Sequence, residues 1–161
     1  MSNTLKEWQK NGWLIEHITS PQEINALLAV ADRDIHDAEV DELSLDARLS
    51  IAYSAIIQCA KIGLAVFGYR VARDSAHYYS IQSLAITLNI SRDATRQLNE
   101  FRKKRNIIEY DRIGTTTKKE IIEVLNLAKE IRKKTEERIK ETNPKLLEET
   151  KLKSGIKIHN Q

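Results

Sequence analysis

The sequence predicts an all-α protein, an up-and-down antiparallel bundle of about five main helices. Three observations lead there. Apolar residues recur at the helical interval through most of the chain. Residues that start and stop helices sit between these periodic stretches. Gly and Pro are scarce, at five and two in 161 residues, while charged residues make up 30%. That mixture suits helices better than sheets or disorder. The length suffices for one domain with its own core.

A short segment, TLKEWQKNG, stops at Gly12, a glycine placed where a helix ends. Next, TSPQEINALLAVADRDIHDAEV begins with Ser20 as N-cap, Pro21 at the first helical position and Glu23 at the third. This is the start signature of a capping box. Its apolar residues Ile24, Leu27, Leu28, Ala31, Ile35 and Ala38 fall on one face. The stretch SLDARLSIAYSAIIQCAKIGLAVFG starts at Ser44 and stops at Gly68. It is apolar round most of its circumference, which marks it as the central helix. SAHYYSIQSLAITLN follows as a helix from about Ser75. SRDATRQLNEFRKKRNIIEY is another, capped by Ser91 and ending before Gly114. TTKKEIIEVLNLAKEIRKKTEERIKE is a long amphipathic helix capped within residues 115–117, and Pro144 ends or bends it. Residues 1–143 read as the bundle, and residues 144–161 read as a polar, flexible tail. No stretch reads as a strand. Short connections between long helices imply antiparallel neighbours.

No apolar run approaches the ~20 residues needed to cross a bilayer. The start, MSNTLKEWQK, is polar and has no signal-peptide core. A cytoplasmic protein with no membrane partner is expected. The one cysteine, Cys59, excludes an internal disulfide and a Cys-based zinc cluster. Its neighbours, AIIQCAKIG, read as helix core, so the thiol is expected to be buried. His17, His36, His77 and His159 form no close pair at metal-ligand spacing. There is no H-E-x-x-H, G-x-G-x-x-G, P-loop, G-x-S-x-G or EF-hand loop. The acid-rich DRDIHDAEVDE spreads its charges round a helix. Neither a metal nor a cofactor is expected.

The net charge of +3 is unevenly spread. Residues 1–101 hold nine Lys/Arg and thirteen Asp/Glu, a net of −4, whereas residues 102–140 hold thirteen and seven, a net of +6. A positive field on one part of a protein suits a polyanionic partner. For residues 118–140 a solvated face with salt-bridge pairs accounts for the same letters.

Two patterns carry candidate chemistry. SIQSLAITLNISRDATRQLNEF has the form of a helix-turn-helix across residues 81–101, with Ser91, Arg92, Thr95 and Arg96 on the helix that would meet bases. Asn89 stands where glycine is usual, and Asn tolerates the left-handed conformation. Two bundle helices joined by a tight capped turn give the same pattern. The second pattern is FRKKRNIIEYDR. Ala94, Leu98, Phe101 and Ile108 make one apolar stripe, and Arg105 interrupts it. An unpaired buried charge costs several kcal/mol. Arg105 therefore needs a carboxylate partner (Glu39, Asp41 and Asp46 are candidates), a solvated cleft or a subunit interface. Arg102, Asn106, Glu109, Tyr110 and Asp111 gather near the same helix end, a grouping that suits phosphate.

From Asn11 to Lys140 the chain resembles HEPN-domain proteins, small helical nucleic-acid-binding domains, and looks closest to a bacterial stand-alone subgroup. The resemblance rests on the long block from GWLIEHITSPQE to AVFGYR, then HYYSIQSLAITL, then FRKKRNIIEYDRIG. HEPN ribonucleases carry an arginine, a polar residue, and a histidine four to six residues further on. Arg105 and Asn106 match the first two positions, and Tyr110 stands in place of the histidine. The resemblance implies a bundle that dimerises with its two motifs facing one cleft. It also implies RNA or a nucleotide-bearing partner, and metal-independent RNA cleavage of the toxin–antitoxin or phage-defence kind, with a cognate antitoxin as a further partner. In that reading Arg105, Asn106 and Tyr110 are the catalytic set, and Arg102, Lys103, Lys104 and Arg112 contact phosphates. Tyrosine, with a reference pKa near ~10, is a poor base at neutral pH but can donate a hydrogen bond or stack on a base. The competing classes are a DNA-binding regulator through residues 81–101 and a non-catalytic interaction module.

Overall fold

The computed structural model describes residues 2–73, 76–110 and 114–147. Its elements run α1 (Ser2–Lys10), β1 (Leu14–Glu16), α2 (Pro21–Ala38), α3 (Leu45–Val66), β2 (Tyr69–Val71), α4 (Ala76–Thr87), α5 (Arg92–Tyr110) and α6 (Lys118–Thr142). The five long helices, α2 to α6, form the expected all-α bundle, and α1 is a short sixth.

Local chemistry fixes the helix ends. The Ser20 hydroxyl accepts the Glu23 backbone N–H at α2, and the Ser44 hydroxyl accepts that of Ala47 at α3. Thr117 and Glu120 exchange both bonds of a capping box at the start of α6. The Glu23 carboxylate does not complete such a box. It accepts the Thr19 hydroxyl at 2.6 Å and meets His17 Nε2 at 2.7 Å instead. Gly12 and Gly68 end α1 and α3 at φ +81 and +90, where a side chain would be strained.

Helix α3 is the axis of the packing. Tyr53, Ile56 and Cys59 join Ile81 and Leu84 of α4, Leu98 and Phe101 of α5, and Val124 and Ile131 of α6 in one cluster. Ile62 of α3 joins Ile24 and Leu28 of α2 and Ile139 of α6 in a second. Among the described helices, α3 is the one long and apolar enough to cross a membrane, and 67% of that stretch is buried inside the bundle. The cluster on Ile62 also takes in Leu146, 5% exposed. The packed part of the chain therefore runs past the boundary expected at residue 143, because an apolar side chain beyond Pro144 finds a cover. Residues 148–161, the rest of the expected tail, lie outside the described residues.

Two features depart from the sequence reading. The first is a small antiparallel sheet, with Leu14 opposite Val71, Ile15 opposite Arg70 and Glu16 opposite Tyr69. Three-residue strands are too short to show alternation in the sequence. The sheet closes α1 over the end of α3, where Leu5, Leu14 and Leu64 are buried together. The second is direction. Tyr53 of α3 meets His77 of α4, and Gly63 lies against Thr87. The same offset at both places means that α3 and α4 run parallel. Simple alternation breaks there because the connection through β2 carries the chain back along the bundle.

Gly63 marks a close approach of that parallel pair. A Cβ there would lie 2.7 Å from Thr87 Oγ1 and 3.2 Å from Thr87 Cβ, and Thr87 is fully buried. Gly63→Ala is expected to destabilise the fold by about 1–3 kcal/mol. Adding Thr87→Ala removes the nearest atom and recovers part of the loss. Denaturant unfolding of the two single variants and the double variant checks this, and additive effects would contradict the contact.

Candidate nucleic-acid interface

The stripe on α5 explains how an arginine is tolerated among packing residues. Leu98 is fully buried, Phe101 is 4% exposed and Ile108 is partly buried against the core. Arg105 is half-buried, and its guanidinium carbon sits 5.4 Å from the centre of the Tyr53 ring on α3. An aromatic face attracts a cation, most strongly where water is scarce. The apolar stem can pack while the head keeps an exit to solvent. One turn earlier, the Arg102 guanidinium lies 5.5 Å from the Tyr78 ring centre. Arg102 Nε also donates to Asn99 Oδ1 at 3.4 Å, and Asn99 is held by Gln82 at 2.8 Å.

The Tyr53 hydroxyl lies 3.4 Å from His77 Nδ1, and the two rings are 5.6 Å apart with a 50° tilt. Burial pushes the Tyr53 phenol up to about 12, against the opposing pull of the Arg105 and Arg102 charges. The phenol therefore keeps its proton at neutral pH. It can donate to Nδ1 whenever that nitrogen is unprotonated, which leaves the imidazole proton on Nε2. The parallel run of α3 and α4 thus sets a histidine beside the Arg105–Tyr53 pair. Tyr78 is 41% exposed and packs edge-on against Tyr79, which stacks on Trp13 at 4.8 Å. Cations, an imidazole and aromatic faces therefore meet on one side of the bundle.

The structure brings together some of the residues singled out from the sequence and separates others. Arg102 and Arg105 share this face. Lys103 and Asn106 are exposed nearby on α5. Lys104 turns the other way, donating to the Thr115 carbonyl at 2.7 Å and to Glu120 at 3.2 Å, so it secures the turn between α5 and α6. Tyr110 is the last residue of α5. Its side chain, Asp111 and Arg112 lie outside the described residues. The three carboxylates considered as partners of Arg105 serve other groups. Glu39 pairs with Lys129, Asp41 with Arg48, and Asp46 with Gly114 and Thr116. Sequence reasoning missed Tyr53, His77 and Tyr78. The visible signals were the one aromatic residue of α3 and the HYY run in the first turn of α4.

The helix-turn-helix pattern forms as a tight capped turn. Asn89 takes φ +55, and the Ser91 hydroxyl accepts the Ala94 backbone N–H. Arg96 lies between Asp93 at 3.9 Å and Glu100 at 3.3 Å. The adjoining cleft also contains Glu120 and Glu123. Acidic groups in that number repel a phosphate backbone. On α6, Arg132 grips Asp32 of α2 through Nε at 2.7 Å and Nη2 at 3.1 Å. Lys134, Arg138 and Lys140 pair with Glu130, Glu141 and Glu136. Much of the α6 charge is therefore spent on ion pairs within the molecule. Among the described residues, no group of three His, Cys, Asp or Glu side chains is placed to hold a metal. No protein-family model matches the chain, and no curated protein matches it significantly.

The turn after α5 is anchored by Asp46, whose carboxylate accepts the Thr116 hydroxyl and the Gly114 N–H. The Thr116 bond, then the Gly114 bond, hold its pKa below the ordinary value against a small desolvation penalty, with Lys104 adding attraction. A depressed folded pKa means that this contribution is complete above the unfolded value, ~3.9, and is lost as pH falls through the folded one. Asp46→Asn is expected to lower the melting temperature at pH 7, by an amount equivalent to ~1 kcal/mol or less for a site partly open to solvent. The gap from wild type should close as pH drops below the carboxylate range. Thermal melts at both pH values check the sign.

Proposed function

We propose that this chain binds single-stranded RNA on the Arg102–Arg105 face of α5, as a HEPN-like homodimer in which two such faces line one cleft. The observation that carries the reading is the pairing of Arg105 with Tyr53 beside His77. Two guanidinium groups on one helix face concentrate positive charge, and their planar shape is suited to phosphate oxygens. The exposed ring of Tyr78 suits an unstacked base, which a double helix does not present. The sequence resemblance supports the same face, because Arg105 and Asn106 match the HEPN motif. The acidic surroundings of Arg96 argue against the DNA-binding alternative through residues 81–101. The proposed setting is the cytoplasm, where a free thiol such as Cys59 stays reduced.

His77 favours a second, catalytic reading. In metal-free cleavage the RNA 2′-hydroxyl attacks the adjacent phosphorus. The 5′-oxygen leaves with a proton, and a 2′,3′-cyclic phosphate remains. Arg105 would stabilise the charge that grows on the non-bridging oxygens, and His77 would move a proton that Tyr110 is poorly suited to move. Residue 77 would then supply from α4 the histidine that the motif on α5 lacks.

Fluorescence anisotropy with a labelled single-stranded RNA tests the binding reading. Affinity should fall with salt by roughly 0.7 log units per log unit of salt for each phosphate contacted. Arg102→Ala and Arg105→Ala should each weaken binding and flatten that slope. No binding at low salt would sink the reading. Tighter binding to duplex DNA that Arg96→Ala abolishes would establish the alternative.

Cleavage is tested in the presence of a chelator. Losing a preorganised donor costs about 100- to 1,000-fold in rate, so Arg105→Ala should fall in that range. His77→Ala should abolish cleavage while RNA affinity changes little. Cleavage that survives His77→Ala but is lost in Tyr110→Phe would return the proton-transfer role to Tyr110. Light scattering of the purified chain should show a dimer at micromolar concentration, and a monomer would remove the shared cleft.

A further inference from the structure

A cleft of about 350 Å³ lies between α2, α3 and the small sheet, and it shares no residue with the Arg105 face. Leu27 of α2, Leu64 and Ala65 of α3, and Val71 of β2 give it an aliphatic lining, with Lys61 and Arg70 among its polar residues. Its volume falls at the small end of the ~300–1,000 Å³ typical of small-molecule sites. The walls are tied together by the backbone. The His17 N–H donates to the Gly68 carbonyl at 2.8 Å, which joins the segment before α2 to the turn after α3.

The charges at this cleft do not balance. Its one carboxylate, Glu23, already accepts the Thr19 hydroxyl at 2.6 Å and meets His17 at 2.7 Å. Among the described residues, neither the Lys61 nor the Arg70 side chain has a hydrogen-bond or ion-pair partner. This contrasts with α6, where Arg132 and Arg138 are each held by carboxylates. An apolar pocket with two unanswered cations matches one ligand chemistry. A polyanion would gain little from the aliphatic lining, and a neutral chain would gain nothing from the cations.

We propose that this cleft binds a small amphipathic acid. Its short alkyl chain lies on Leu27, Leu64, Ala65 and Val71, and its carboxylate is drawn to Lys61 and Arg70. Arginine meets a carboxylate through two parallel donors and lysine through a point charge, so either cation can lead the contact. The inference is independent of RNA binding, because it uses other residues on another face.

Isothermal titration of the full chain with butanoate, hexanoate, octanoate and octanol tests it. Affinity should rise about fourfold per added methylene through the acid series, as expected for alkyl carbons leaving water. Octanol should bind at least tenfold more weakly than octanoate. The double variant Lys61→Gln, Arg70→Gln should lose about tenfold for octanoate and nothing for octanol. Both residues are exposed, so this variant should fold, and its circular dichroism and melting curve confirm that. Leu27→Trp should block acid and alcohol alike by filling the cleft. The proposal is overturned if octanoate gives no binding at millimolar concentration, if octanol binds as well, or if the charge-neutral double variant binds octanoate unchanged.

Discussion

Helix α3 must bury apolar side chains round most of its surface. Twelve of its twenty-two residues are buried, too many for a single neighbour to cover. Helices α2, α4, α5 and α6 therefore all pack against it, and burial at about 25 cal/mol per Å² of apolar area is the dominant force holding them there. The small sheet and α1 complete the cover at the far end, where Leu64 lies under Leu5 and Leu14. The close approach at Gly63 serves the same demand, since the absence of a side chain there leaves room for Thr87 of α4.

This arrangement also creates the candidate interface. Tyr53 is the largest of the fully buried side chains, and its hydroxyl needs a partner inside an apolar core. His77 supplies one, and the ring face supplies a seat for Arg105. A polar arrangement has thus been built into the edge of an apolar core. Among the described residues, no fully buried side-chain polar atom lacks a hydrogen-bond partner. The cations on α5 and those on α6 then take different roles. Arg132 and Arg138 staple helices together through Asp32 and the Thr87 carbonyl. Arg102 and Arg105 instead rest on the rings of Tyr78 and Tyr53, a contact in which the π face attracts the cation.

The sequence by itself determined the helices. The capping at Ser20, Ser44, Ser91 and Thr117 and the stops at Gly12 and Gly68 depend on neighbours a few residues away, so they could be read directly. It also determined that α3 is central, and that Arg105 breaks an apolar stripe. Tertiary structure decided what local spacing cannot encode. Residues 14–16 and 69–71 pair across a long separation, and no short strand announces its partner. The parallel course of α3 and α4 was decided there too, and with it the meeting of Tyr53, His77 and Arg105 from three separate helices. So was the division of the basic residues between ion pairs and open faces. Charge can be counted along a chain, but its partners are set by which helices touch, because electrostatic attraction acts through space and fades over roughly 8–10 Å in physiological salt.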